Sequence, residues 1–365
     1  MIIFAWMNTI YFTPGPSQLF NTYKLHLSNA MKRQLGSINH RSNAFRTIYQ
    51  HTDEQLRILM NIPSSHSIFF ASSATEIWEK MLLNCVETNS FHLTNGSFSN
   101  KFYEFALALK KSPDRFAVEE GKGFNIDELK IPKETELICT TQNETSTGVQ
   151  IPVKDLITLK KGHPGKLICT DLVSSAPYTD IPYAMMDCSF FSVQKAFGMP
   201  PGLGVWIVNE ACLVKATTLK TKGLNIGAHN TLESYFKNYK TFETPSTPNV
   251  IAIYILGKIA EDMNRTGLSS IRKELESKAE TMYAFGEQQE GYSPWVKESE
   301  HRSKTVAVFN TIKPSAEIIE LLKPHGMTVG SGYGKFKASQ IRIANFPATS
   351  LDEMEKLLGH LRSFS

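Results

Sequence analysis

Between about residue 66 and residue 208, short apolar runs alternate with longer stretches whose apolar positions recur at helical spacing. The runs "HSIFFA", "SFHLT", "ELICTT", "KLICTD", "MMDCSFF" and "LGVWIV" are rich in β-formers, and turns or helical stretches such as "ATEIWEKMLLNCV" and "NKFYEFALALKK" separate them. Near-continuous apolar strands interleaved with helices predict a mostly parallel sheet covered by helices. After "ETPSTPN" the pattern turns mainly helical to about residue 290. The strand-like "KTVAVFN", the helix "SAEIIELLKPHG", the strand-like "QIRIANF" and a last helix from "SLDEMEKLL" then predict a small α+β domain.

Composition narrows this picture by exclusion. The 365 residues allow a large core, and the apolar share of 41% with 20% charged residues is that of a soluble globular enzyme. A net charge of +4 is too small at this size to argue for nucleic acid or a membrane surface. The ten histidines show no metal-ligand spacing, so no metal is expected. Cys85, Cys139, Cys169, Cys188 and Cys212 are odd in number and sit mostly in apolar runs, which suits reduced thiols in a cytoplasmic protein. The start, "MIIFAWMNTIYFTPGP", lacks a basic leader and a small-residue cleavage site, and reads as structure rather than a targeting segment.

Candidate chemistry gathers where strands end. In "SFFSVQKAFGMPPGLG", Lys195 falls in the connection between two apolar runs. In "FFASSATEIWEK", the residues Ser72 to Thr75 lead from a strand into a helix, where free amides and hydroxyls make an anion site. Phe98 stands in the polar "LTNGSFSNKF", and "QNETSTGVQIP" follows the strand "LICTT". Asp171 closes "KLICTD". In α/β sheets, binding residues collect at the carboxyl ends of the strands. Pyridoxal 5'-phosphate needs this whole set: a lysine for a Schiff base, a carboxylate for its pyridinium nitrogen, an anion site for its phosphate and something flat against its ring.

The pieces "FTPGPSQL", "HRSNAF", "SSATEIW", "HLTNGSFSNKF", "NETSTGV", "TDLVSSA", "VQKAFGMPPGLG", "ETPSTPN" and "QIRIANFPA" span nearly the whole chain in order. In them the chain resembles the phosphoserine aminotransferase family, in the class V group of fold-type I pyridoxal-phosphate enzymes. The resemblance implies an α/β large domain over 14–248 with a mostly parallel seven-stranded sheet. It also implies a small C-terminal domain over 249–365, joined by the N-terminal segment 1–13. Lys195 becomes the Schiff-base lysine and Asp171 the partner of the ring nitrogen. Phe98 takes the ring-stacking place and Thr145 bonds the ring hydroxyl. Ala74, Thr75 and Gln194 hold the cofactor phosphate, and Thr244 reaches it from a neighbouring subunit, which implies a homodimer. Glu243 stands before it where the family usually has asparagine, and a carboxylate disfavours a nearby phosphate.

On the substrate side the resemblance gives Arg342 the α-carboxylate and His40 with Arg41 the substrate phosphate. A histidine-arginine pair common before the carboxylate arginine is replaced by "GYGKFKAS", whose Lys335 and Lys337 keep charge without the guanidinium fork. The implied reaction exchanges the amino group between O-phospho-L-serine and 2-oxoglutarate. A class V transaminase for unphosphorylated amino acids, of the serine–pyruvate or alanine–glyoxylate kind, is the alternative. A cysteine desulfurase is disfavoured because no cysteine follows Cys212, and a dinucleotide oxidoreductase because no GxGxxG joins the first strand to its helix. A non-catalytic binding module is disfavoured because both the lysine and the carboxylate are present.

Overall fold

The computed structural model describes residues 9–364; residues 1–8 of the apolar N-terminal segment and Ser365 lie outside the described residues. In chain order the strands are β1 (Ile10–Phe12), β2 (His66–Ala71), β3 (Ser90–Thr94), β4 (Asp114–Ala117) and β5 (Leu137–Thr141). A hairpin of β6 (Asn143–Glu144) and β7 (Val149–Gln150) comes next, then β8 (Leu167–Asp171), β9 (Cys188–Ser192) and β10 (Gly204–Asn209). Four more follow: β11 (Tyr292–Pro294), β12 (Val306–Thr311), β13 (Met327–Ser331) and β14 (Gln340–Ala344).

Seven of these form one sheet in the order β2-β10-β9-β8-β5-β3-β4. The pairs β3–β4, β3–β5, β5–β8 and β8–β9 are parallel, while β10 runs antiparallel to both β2 and β9. Because successive side chains point to opposite faces, the apolar runs feed two cores at once. Ile68, Phe70, Phe91, Ile138, Ile168, Val205 and Ile207 enter one core. Phe69, Leu137, Cys139, Cys169, Cys188, Phe190 and Trp206 enter the other. Cys139, Cys169 and Cys188 are register partners on adjacent strands, and all five cysteines are buried and unbridged.

A five-stranded sheet, β1-β13-β14-β12-β11, takes its first strand from near the start of the chain. There Ile10–Phe12 pairs parallel with Met327–Val329. The helices Leu268–Gln288 and Leu351–Ser363 pack on this sheet through Ala279, Met282, Met354 and Leu358. In the two larger sheets the strands absent from the sequence reading are β1, β4, β11 and β13; each carries partly exposed positions, so no uninterrupted apolar run announces them. Among the described residues no helix is long and apolar enough to cross a membrane.

Candidate active site

The carboxyl ends of the parallel strands face one cavity of about 410 Å3, within the size range of a cofactor pocket. Ala74, Thr75 and Trp78 reach it from the helix after β2, and Phe98 from the helix after β3. Thr141, Asn143 and Thr145 come from the end of β5 and its hairpin, and Asp171 from the last position of β8. Ser192, Gln194 and Lys195 lie at and beyond the end of β9, in the connection to β10. From the other sheet come Arg342, on β14, and Tyr333, in the connection between β13 and β14.

Lys195 is 6% exposed and its Nζ donates to Thr145 Oγ1 at 2.8 Å. Thr145 in turn donates to Ser174 Oγ at 3.0 Å. Burial pushes the Lys195 ammonium below the usual lysine range and the Asp171 carboxyl above the usual carboxylate range. Asp171 is held by the Trp78 indole N–H at 3.2 Å and the Val173 amide at 2.8 Å. Gly15 has φ +125, and a Cβ there would stand 2.9 Å from Lys195 Cε, so the "PGP" turn is fitted against the lysine stem.

The neighbouring walls are as specific. Lys195 Nζ lies 5.4 Å from the Phe98 ring centroid, and the Phe98 and Tyr333 rings are 5.3 Å apart. The helix Ala74–Cys85 opens on the cavity with Ser73 as its cap, accepting from the Glu76 amide at 3.3 Å. The Ala74 amide donates to Ser192 Oγ at 3.0 Å. A Cβ on Gly204 would lie 2.6 Å from the Ser73 carbonyl carbon, so β10 starts directly beneath this helix end. Arg342 donates from Nε to the Ser331 carbonyl at 2.8 Å and from Nη1 to the Thr145 carbonyl at 3.3 Å. Its guanidinium sits 5.2 Å from the Tyr333 ring centroid.

The remaining sequence-derived residues lie elsewhere in the chain. Thr244 is buried beside a separate hollow with Ser72 and Glu76, and its hydroxyl donates to the Ser246 carbonyl at 2.8 Å. His40 is half-buried, and Arg41 pairs with Glu243 at 2.6 Å and Asn238 at 2.9 Å. Arg46 pairs with the same Glu243 at 2.6 Å, so that carboxylate is offset by two guanidiniums and its pKa is held below the usual range. The Lys335 side chain is 71% exposed and pairs with Glu120 at 2.6 Å. Sequence reasoning passed over Trp78, Thr141, Asn143, Ser192 and Tyr333, all of which line the cavity. Trp78 follows Ala74 by one helical turn, a spacing that could have flagged it. Tyr333 stands in "GYGKFKAS", where the lysines drew the attention.

Pyridoxal 5'-phosphate fits this donor set. Thr141 Oγ1 is buried at the cavity without a hydrogen-bond partner. Asp171 is a buried carboxylate that a cationic ring nitrogen would stabilise, and Lys195 is an amine with a lowered pKa.

Comparison with known proteins agrees. Residues 13–341 match the family described as Aminotransferase class-V. A crystal structure of a phosphoserine aminotransferase from Cytophaga hutchinsonii is 43% identical, with TM-score 0.96, covering 98% of this chain and 99% of that one. A putative phosphoserine aminotransferase of Mycobacterium leprae is 27% identical, covering 95% of this chain and 92% of the relative. An alanine–glyoxylate aminotransferase from Nostoc, 19% identical with TM-score 0.80 over 98% of this chain and 95% of that one, shares the fold. A lysine, a buried carboxylate and an arginine thus meet in a fold built for one cofactor, and the chain belongs to the class V aminotransferases, enzymes that depend on pyridoxal 5'-phosphate.

Proposed function

We propose that the chain exchanges the amino group between O-phospho-L-serine and 2-oxoglutarate, giving 3-phosphooxypyruvate and glutamate, a reaction of serine biosynthesis. The observation that carries the reading is the 43% identity to a phosphoserine aminotransferase over 98% of the chain. When bound, the cofactor supplies an electron sink for the bonds of the substrate Cα. Lys195 Nζ holds the cofactor and, once released, takes the proton from the substrate Cα. Its lowered pKa supports this role, because a base is effective near the working pH. Asp171 keeps the ring nitrogen protonated, with Trp78 and Val173 fixing its two oxygens. Phe98 covers the ring, and Thr145 bonds the ring hydroxyl. The amides of Ala74 and Thr75, with Gln194, hold the phosphate at the helix N-terminus.

Arg342 takes the α-carboxylate. Its Nε and Nη1 are already committed to the Ser331 and Thr145 carbonyls, which fixes the guanidinium plane before substrate arrives. His40 and Arg41 take the substrate phosphate of a neighbouring subunit in a cytoplasmic homodimer. They do not line the cavity of their own protomer, which supports a role across an interface. The Arg41–Glu243 pair is part-exposed and worth at most about 1 kcal/mol. A phosphate, with about −1.5 to −2 charges at neutral pH, offers Arg41 a more highly charged partner than the Glu243 carboxylate does. Thr244 would turn from Ser246 to reach the cofactor phosphate across the same interface. Lys335 is assigned to the substrate's distal group and would leave Glu120 to reach it.

Half-reactions with phosphoserine, serine, alanine and glutamate test the assignment. Phosphoserine should react far faster than serine, and Arg41→Ala should lower its kcat/KM roughly tenfold to a hundredfold with little change for alanine. Equal use of serine and phosphoserine would move the assignment to unphosphorylated amino acids.

A further inference from the structure

Glu144, the middle residue of "NET", is fully buried yet outside the cavity lining. Its carboxylate accepts from five donors: the Phe98 and Ser99 amides, the Ser99 hydroxyl, and the amide and hydroxyl of Ser146, at 2.7–3.3 Å. Three of these belong to the first turn of the helix Ser97–Ala108. That helix has glycine, Gly96, at its N-cap, so no N-cap side chain takes its first amides; Ser99 Oγ takes only the Gly96 and Asn95 amides. Ser97 N donates instead to Ser146 Oγ at 2.9 Å, and Phe98 N and Ser99 N donate to Glu144. The cap comes from another part of the chain, and as an anion it suits the positive end of the helix. Gly96 is what admits it: a Cβ there would lie 2.4 Å from Glu144 Cγ.

The two segments joined this way are the two that flank the lysine. Phe98 offers its ring 5.4 Å from Lys195 Nζ, and Thr145, the next residue after Glu144, accepts directly from that Nζ. We propose that Glu144 is a positioning residue for the cofactor: one carboxylate sets the Phe98 ring and the Thr145 hydroxyl in mutual register by capping the helix that carries Phe98. The inference rests on the cofactor-site reading above. It assigns Glu144 a second effect through charge, since its carboxylate favours the cationic forms of Lys195 and Arg342.

The test is Glu144→Gln in the full-length protein, which keeps the shape but turns one acceptor into a donor facing donors. Pyridoxal 5'-phosphate is titrated into cofactor-free protein and binding is read from quenching of tryptophan fluorescence, to which Trp78 at the cavity contributes, and from the visible band of the lysine-bound cofactor. The variant should bind roughly tenfold or more weakly. The pKa of that band should fall by roughly 0.5 unit or more, because losing a nearby negative charge disfavours the protonated form. A purely structural role would not move the pKa. Unchanged affinity and an unchanged titration overturn the proposal. If Glu144→Gln does not fold, Ser146→Ala decides, since it removes one donor to Glu144 and the acceptor of the Ser97 amide in the same cap, and should give a smaller weakening in the same direction; unchanged affinity there overturns the proposal equally. Failure of the site reading looks different: a visible band that survives in Lys195→Ala would overturn both.

Discussion

The cavity around Lys195 and the cations assigned to the substrate's distal group differ in almost every physical respect. In the cavity, Lys195 and Asp171 are 6% and 3% exposed, each side chain has fixed partners, and burial shifts both pKa values toward neutrality. His40, Arg41 and Lys335 lie outside that cavity, and Arg41 and Lys335 are tied to carboxylates of their own chain, 41% and 71% exposed. Bond-making at Cα needs a lysine amine that can lose its proton near neutral pH, and burial is the largest cause of that shift here. Recognition of a charged group at the far end of a substrate needs reach, and water-exposed cations keep it at little cost. The proposed function therefore sets the chemistry in the sheet and selectivity on surfaces that can exchange partners.

Breaking the buried half should have the larger consequences. Lys195→Ala should remove the visible band of the lysine-bound cofactor and lower turnover by more than about 1,000-fold. A variant with undiminished transamination would sink the assignment.

Asp171→Asn should lower kcat by roughly a hundredfold or more, and it should also reveal the cost of burying the carboxylate. The folded-state pKa of Asp171 is raised, so the folded cofactor-free protein retains a proton that the unfolded chain releases above about pH 4. Its contribution to stability is present at low pH and is lost as pH rises through the folded pKa. Melting curves of cofactor-free protein should show Asp171→Asn more heat-stable than the unaltered chain at pH 8, with the gap closing toward pH 4. No gap at pH 8 would mean that burial does not strain this carboxyl.

Arg342→Lys should raise KM for every amino-acid substrate by roughly tenfold, because the charge remains but the fixed fork does not. An increase confined to phosphoserine would reassign it to the distal group.

At the small end, breaking the Lys335–Glu120 pair should not register in a melting scan, since exposed pairs contribute about 0–1 kcal/mol. A change of kcat/KM in Lys335→Ala for phosphoserine but not alanine would place this lysine with His40 and Arg41. Equal rates for both would make it a solvated surface charge.

The apolar runs were enough to locate six of the seven strands of the large sheet, because β-formers buried on both faces leave uninterrupted signatures such as "ELICTT" and "GVWIV". They also located the turns that follow those strands, and so the positions of Lys195, Asp171 and Phe98 along the chain. The edge strand Asp114–Ala117 was not legible, since it shows exposed and intermediate positions and mixes charge with apolar residues. Tyr333 and Ser192 were missed because nothing local distinguishes an aromatic or a hydroxyl at a cavity from the same residue in a loop. Glu243 was read as a misplaced carboxylate. The structure pairs it with Arg41 and Arg46, about two hundred residues away in the chain, which no local reading could supply.

By itself, then, the sequence determined the class of fold and the residue types available at the strand ends, because backbone periodicity and burial are local properties. Tertiary structure decided which of those residues meet. It brought β14 and its arginine over the hairpin that holds Thr145, left Lys335 outside, and set a glutamate from one segment on the bare helix end of another. Distances of that kind depend on how sheets and helices pack across a long chain, and no spacing along the chain encodes them.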